Sequence, residues 1–248
     1  MMEIRHGCSE LLSIPKGPHT HIHFGDATLL PSLRTLALGK RAIAIDNNPE
    51  ATRMIMHELE SGLPVFSFLN HSIAQSQTYA SIELKVLQDK SRAEQLQRVY
   101  REAWEQAKNN LHLLTCIDAD IKSIPTSTLM PVAEKITYLY PSPRYDPRFA
   151  TLELASCLLK RDGIFTIVTE NEEVAQDFSQ LAGPFITHSG FKRREKNEEP
   201  LSAYDIAWGQ EGHYLVEIKN KGGKLPSHIK EVKNSLTFKA LSFLGMVQ

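Results

Sequence analysis

Three acids stand directly after stretches that read as β-strands, and a glycine stands beside them. Gly25-Asp26-Ala27-Thr28 follows the stretch 20–24, Asp46-Asn47-Asn48 closes the stretch 41–46, and Asp118-Ala119-Asp120 follows the stretch 111–117. Gly25 has no Cβ, so a ligand can approach its backbone closely. Asp46 comes 21 residues after Gly25. Its ionised carboxylate only accepts, and its two oxygens suit the two hydroxyls of a ribose. Asp118 suits the exocyclic amine of adenine. The pattern predicts a nucleoside held across three strand ends, with Asn47, Ala119 and Tyr140 alongside it. The plain alternative is that these acids merely solvate their loops.

The loop after the first strand narrows the choice of nucleoside. A dinucleotide carries a pyrophosphate and calls for G-x-G-x-x-G at a helix N-terminus. Here the run is Gly25-Asp26-Ala27-Thr28-Leu29-Leu30, with one glycine and an acid that repels phosphate. S-adenosylmethionine has no phosphate. It bears a sulfonium and an ammonium, and Asp26 is compatible with the second. The balance favours S-adenosylmethionine over NAD.

These residues need a frame that brings strand ends together. Alternation in 20–24 and apolar runs at 41–46, 111–117, 133–140 and 163–169 predict strands. Helices are predicted at 29–38, at 49–61 behind the cap Asn48-Pro49, at 79–110, at 151–160 and at 172–182. Residues 1–18 read as irregular, and 64–70 as strand or helix. Strands alternating with helices give a mostly parallel sheet covered on both faces. Two late candidates, 184–191 and 213–219, have no clear helix between them and suggest an antiparallel edge hairpin. Ligands of such sheets bind at the carboxyl ends of the strands, where strand order reverses. At 248 residues one domain is expected, with 62–110 as a helical insertion whose role (lid, dimer contact or structural layer) the sequence leaves open.

The same positions resemble a class I S-adenosylmethionine-dependent methyltransferase, and more narrowly the bacterial tRNA (guanine-N7-)-methyltransferase family. His21-Ile22-His23-Phe24-Gly25 is similar to its E-I-G-x-G-x-G strand end, and Ala42-Ile43-Ala44-Ile45-Asp46 to the strand closed by its ribose-binding acid. Ile117-Asp118-Ala119 resembles its G-D-A segment, Tyr138-Leu139-Tyr140-Pro141-Ser142-Pro143-Arg144 its F-P-D-P-W segment, and 158–165 its L-K-x-G-G-x-F turn. Ser202-Ala203-Tyr204-Asp205, with Gly212-His213 after it, resembles its T-x-F/Y-E motif and the following G-H. The resemblance implies a Rossmann-like seven-stranded methyltransferase fold with an antiparallel edge hairpin. It implies Ser142 and Asp205 as catalytic residues, Arg144, Ser202 and Asp205 as substrate-binding residues, and tRNA as partner. Only the first glycine of the loop is kept, and Ser142 stands where the family has aspartate. A paralogue that binds nucleoside or RNA without turnover is therefore the alternative, and methylation of a small molecule a third reading.

Other chemistries have less to carry them. His19, His21 and His23 alternate in H-x-H spacing, which suits metal ligation, but no matching carboxylate–histidine set accompanies them, so no metal is expected. No G-x-S-x-G elbow exists for a serine hydrolase. Lys plus Arg is 28 against 29 acids, so nucleic acid would need a local patch. Lys192-Arg193-Arg194-Glu195-Lys196 and the lysine-rich stretch from Val216 onward offer one. Three dispersed cysteines, no apolar leader and no long apolar run lead to the expectation of a reduced, cytoplasmic protein with no membrane partner.

Overall fold

The computed structural model describes residues 4–6, 19–66, 88–127, 129–140, 148–182, 190–195, 198–209 and 211–221. In chain order these form β1 (Ile4–His6), β2 (Thr20–Phe24), α1 (Leu30–Ala37), β3 (Arg41–Asp46), α2 (Pro49–Ser61), α3 (Lys90–Ala107) and β4 (Leu114–Asp118). There follow β5 (Ala133–Leu139), α4 (Arg148–Leu158), β6 (Leu159–Thr169), α5 (Glu172–Ala182), β7 (Gly190–Arg193), α6 (Ala203–Trp208) and β8 (Tyr214–Lys219).

The strands make one sheet in the order β1-β4-β3-β2-β5-β6-β8-β7. All pairings from β1 to β6 are parallel, and β8 runs antiparallel to both β6 and β7. This is a Rossmann-like α/β sheet with an antiparallel edge, as the sequence predicts. Strand order reverses between β2 and β5, and that gap is the crevice such sheets use for ligands.

Side-chain size sorts the two faces. Ala42 and Ala44 of β3 point to the layer of α1, α2 and α3, and their small side chains let those helices sit close. Ile43 and Ile45 point the other way, into a cluster with Ile22, Phe24, Phe165 and Phe178. Phe24 and Phe178 both meet Phe165 edge-on, each with centroids 6.3 Å apart.

Four readings of the sequence need correcting. Residues 4–6 are not irregular but pair with β4, giving an eighth strand at the edge. The fourth helix ends at Leu158, because Leu159 re-enters the sheet opposite Ala133. A bulge between Leu159 and Ile164 then absorbs the extra residues. Gly163 is required there, since a Cβ would stand 2.9 Å from the Lys160 carbonyl oxygen. A short helix, α6, does separate the last two strands. The predicted long helix is Lys90–Ala107 where described, capped by the Asp89 carboxylate on the amides of Ser91 and Arg92. It ends in a 3-10 stretch, Lys108–Leu113, so β4 begins at Leu114 rather than Leu111. Residues 67–87 of the insertion, and 184–189 of the predicted edge strand, lie outside the described residues.

The described part of the insertion is a layer of the fold. Tyr100 of α3 is fully buried, meets Phe66 edge-on at 5.9 Å, and donates from Oη to the Thr28 carbonyl at 2.7 Å. It thereby ties α3 to the loop that follows Gly25.

Candidate functional site

The three predicted ligand positions stand side by side. Parallel pairing sets Phe24 opposite Ile45 and Asp46 opposite Asp118, so Gly25, Asp46 and Asp118 follow one another along the carboxyl edge of β2, β3 and β4. Gly25 turns out of its strand with φ +67, in the left-handed region that suits glycine, and is exposed. Its amide donates to the Ile45 carbonyl at 2.8 Å, and a Cβ there would meet the Tyr138 ring at 3.7 Å.

Asp46 works partly for the fold. One carboxylate oxygen accepts from the Ala27 amide at 3.1 Å and the other from the Asn48 amide at 2.7 Å. This pins the Gly25–Thr28 loop and the start of α2 to one side chain. A carboxylate has about four acceptor sites, so acceptor capacity remains for a ligand even with the Asn47 amide also drawn to it. Burial, with neighbouring Asp118 adding, raises its pKa to about 6 despite the amide bonds. Asp118 is half-buried, Asn47 is exposed, and the amide of buried Ala119 donates to the Asp46 carbonyl. Between the two acids lies a cavity of about 10 Å³, lined also by Thr52 and Cys116, too small for more than a water. A nucleoside would therefore lie over this edge, on the exposed side of Gly25 and Asn47.

Asp26 turns inward. It is 3% exposed, and one oxygen accepts from the amide and hydroxyl of Ser32 in the first turn of α1. The other oxygen has no partner among the described residues. Burial, with Asp46 adding to it, raises the carboxyl pKa to about 8, so it is largely protonated at neutral pH. This corrects the expectation that Asp26 offers a charge to a ligand's ammonium.

The histidines serve the sheet. His23 Nδ1 lies 2.6 Å from Thr137 Oγ1 and Nε2 lies 2.9 Å from Thr35 Oγ1. His21 reaches Thr35 and Lys40, both at 3.4 Å, and His19 pairs with Glu134. Burial lowers the pKa of His23 to about 3 and of His21 to about 4, so both are neutral. Among the described residues no group of three or more metal-ligating side chains converges. No described helix is long and apolar enough to cross a membrane.

Across the crevice, beside β5, β6 and β8, the side chains are joined to one another. Tyr140 follows β5 with φ +55, unusual for a side chain of its size. Its Oη donates to Asp205 Oδ1, and His213 Nδ1 lies 2.9 Å from the same Oη. Asp205 is buried, and Nη1 of buried Arg194 stands 2.9 Å from both its oxygens. The amides of Leu201 and Ser202 donate to Oδ2 as well. The Ser202 hydroxyl accepts from the amides of Tyr204 and Asp205, completing a capping box on α6. Asp205 and Ser202, expected on the substrate, are instead spent on holding the segment between β7 and β8. The sequence carried that signal, because S-x-x-D before an apolar turn is a capping pattern. Ser142 and Arg144 lie outside the described residues.

Rings of Tyr140, Tyr204 and Trp208 form a continuous stack, with centroids 4.3 and 4.5 Å apart. Trp208 borders a cleft of about 810 Å³, lined also by Arg92, Gln95, Arg193, Glu198 and Asp205. The basic cluster is smaller than the sequence suggests. Arg194 is buried against Asp205, and Lys192 pairs with Glu198 at 3.1 Å. Arg193 is exposed at the cleft, and Lys196 lies outside the described residues. Cys116 is buried, which raises its thiol pKa, and Cys157 is half-buried.

No protein-family model matches the chain, and no curated protein does. Among solved structures, the chain is similar to the 16S rRNA methyltransferase KamB at 10% identity, over 86% of this chain and 92% of that one, with a TM-score of 0.47. It is similar to a 16S rRNA (adenine(1408)-N(1))-methyltransferase from Catenulisporales acidiphilia at 10% identity, over 88% and 92%, with a TM-score of 0.49. A fibrillarin pre-rRNA processing protein of Methanococcus jannaschii matches at 13% identity, over 84% and 70%, with a TM-score of 0.42.

Proposed function

We propose that the protein is an S-adenosylmethionine-dependent methyltransferase acting on a base of RNA. The observation that carries this reading is the row of exposed Gly25, half-buried Asp46 and half-buried Asp118 along three neighbouring parallel strand ends. The row offers acceptors for a ribose and an adenine amine, and its loop has no phosphate cradle. Asp46 and Asp118 would hold the nucleoside, and Gly25 would admit its backbone-side face. When bound, S-adenosylmethionine supplies an electrophilic methyl carbon, and the chain's own task is to orient the acceptor at roughly 3–3.5 Å from it.

The substrate side of the reading rests on the aromatic stack that ends at half-buried Trp208, beside exposed Arg193 and the cleft. A base face and a phosphate are what such a pair accepts. The finer expectation, guanine N7 of tRNA, leaned on Ser202 and Asp205, which the fold consumes, so the substrate is proposed only as an RNA base.

Calorimetric titration with S-adenosylhomocysteine tests the cofactor half. Micromolar binding is expected, weakened roughly 10–100-fold in Asp46→Ala, as for loss of hydrogen bonds to a charged group. Urea unfolding of the variant checks that it stays folded. No binding to the wild type refutes the reading. Binding without transfer of labelled methyl to bulk RNA favours the second reading, a nucleoside-binding paralogue without turnover, which the inward-turned Asp26 also suits.

A further inference from the structure

The hydrogen bonds around Tyr140 fix the tautomer of His213. Both oxygens of Asp205 accept from Arg194 Nη1, and Oδ2 also from two amides, so the single proton of Tyr140 Oη goes to Asp205 Oδ1. Arg194 Nη1 donates to the same Oη at 3.3 Å. His213 Nδ1, 2.9 Å from Oη, then has nothing to accept and must donate. Its proton sits on Nδ1, and Nε2 is left with a lone pair and no hydrogen bond among the described residues. The ring is held by edge contact with Tyr140 at 5.2 Å and a tilted contact with Tyr204 at 6.1 Å, and its side chain is 11% exposed.

The topology puts His213 at the carboxyl edge of the sheet. β8 runs antiparallel to β6, with Tyr214 opposite Thr169, so His213 lies at the carboxyl edge of the parallel strands. Tyr140 lies on the same edge after β5, next to the strand that ends at Gly25. Cofactor groups therefore stand on one side of the switch point and His213 on the other.

We propose that His213 is the general base of the methyl transfer, held in its Nδ1–H tautomer by Tyr140 and Asp205, and that the methylated atom is a nitrogen bearing hydrogen. The proposal rests on the methyltransferase reading above. The nitrogen lone pair forms the N–C bond while the C–S bond breaks, its electron pair remaining on sulfur. The nitrogen, now cationic, gives its proton to His213 Nε2. Guanine N7 bears no hydrogen and needs no such base, so the substrate is narrowed to an exocyclic amine or a ring N–H. Asp205 Oδ1, 3.8 Å from Nδ1, and the Arg194 guanidinium bound to it face the ring. Tyr140 and Tyr204, the latter bonded to Glu170, complete the facing groups.

The full chain labelled with ¹⁵N-histidine tests the orientation independently of turnover, with His213→Gln assigning one signal among the ten histidines. The Nδ1–H tautomer is expected in the wild type. It should give way to Nε2–H in Tyr140→Phe, which keeps the stacked ring and removes Oη. A wild-type Nε2–H tautomer overturns the proposal. In methyl transfer to bulk RNA, His213→Gln should retain S-adenosylhomocysteine binding, lose about 10²–10⁴-fold in kcat with KM little changed, and lose the acid limb of the pH profile. Unchanged kcat and pH profile, or 7-methylguanine as sole product, likewise overturn it. A wild type that binds no S-adenosylhomocysteine sinks the underlying reading instead, and the tautomer then still decides for or against the oriented imidazole.

Discussion

Asp26 offers the sharpest test of the electrostatics, because its carboxyl is buried with one oxygen unpartnered and a pKa raised from 3.8 to about 8. A raised acid pKa means that the folded state keeps a proton which the unfolded chain releases. The stability tied to that proton is whole below about pH 4 and drains away as pH climbs through 8, at ~1.4 kcal/mol per unit. By pH 7 the loss amounts to about 4 kcal/mol. Asp26→Asn cannot ionise and escapes that loss. Its amide still accepts from Ser32, but it places an NH₂ where Oδ1 finds no partner, at about 1–3 kcal/mol. The variant should be more stable than wild type by about 1–3 kcal/mol at pH 7 and no more stable at pH 4. His21 and His23 act in the opposite sense. Their lowered pKa values, about 4 and about 3, give stability above pH 6.5 that is lost in acid. They are common to both proteins and cancel in the comparison. Urea unfolding at pH 5, 6, 7 and 8 measures the difference, which should grow by ~1.4 kcal/mol per unit over most of that range. A difference independent of pH would refute the buried, protonated Asp26.

Two further substitutions separate structural from catalytic roles. Asp205→Ala takes the buried carboxylate from Arg194 Nη1, leaving the guanidinium to Glu198 at 3.3 Å and the Glu199 carbonyl at 3.0 Å, and should cost about 1.5–3 kcal/mol by urea unfolding; a full-stability variant would return Asp205 to the substrate side. Tyr100→Phe deprives the Thr28 carbonyl of its donor and should cost about 1–3 kcal/mol, and no loss would mean that α3 is not anchored to the glycine loop.

The sheet was legible in the sequence because its strands are bounded by strong signals. Gly25 stops β2, Asn48-Pro49 caps α2, and the run Ala42–Ile45 has no polar break. The failures have equally local causes. Residues 4–6 are too short for alternation to register, and only pairing with β4 makes them a strand. Leu159 and Lys160 continue a helical pattern, but a bulge around Gly163 draws them into β6. At the site, the order of Gly25, Asp46 and Asp118 followed from strand ends alone. The inward turn of Asp26 did not, since the residue that receives it, Ser32, is six positions on and marked by no motif. Likewise S-x-x-D was readable as a cap or as a substrate contact, and only the convergence of Arg194 and Tyr140 on Asp205 decides for the cap.

The two halves of the carboxyl edge spend their polar groups differently. On β2, β3 and β4 the carboxylate of Asp46 is shared among backbone amides and keeps acceptor capacity. Across the crevice the polar atoms of Tyr140 after β5, Arg194 after β7 and Asp205 of α6 are closed upon one another. A buried ion pair of that kind is poor value as stabilisation, because desolvating both charges offsets most of their attraction, and well-packed apolar residues do as well or better. What the pair supplies is direction. It gives Tyr140 Oη one acceptor, so the imidazole at the end of the chain has a single tautomer open to it. An apolar core in the same place would be as stable and would leave His213 free to turn.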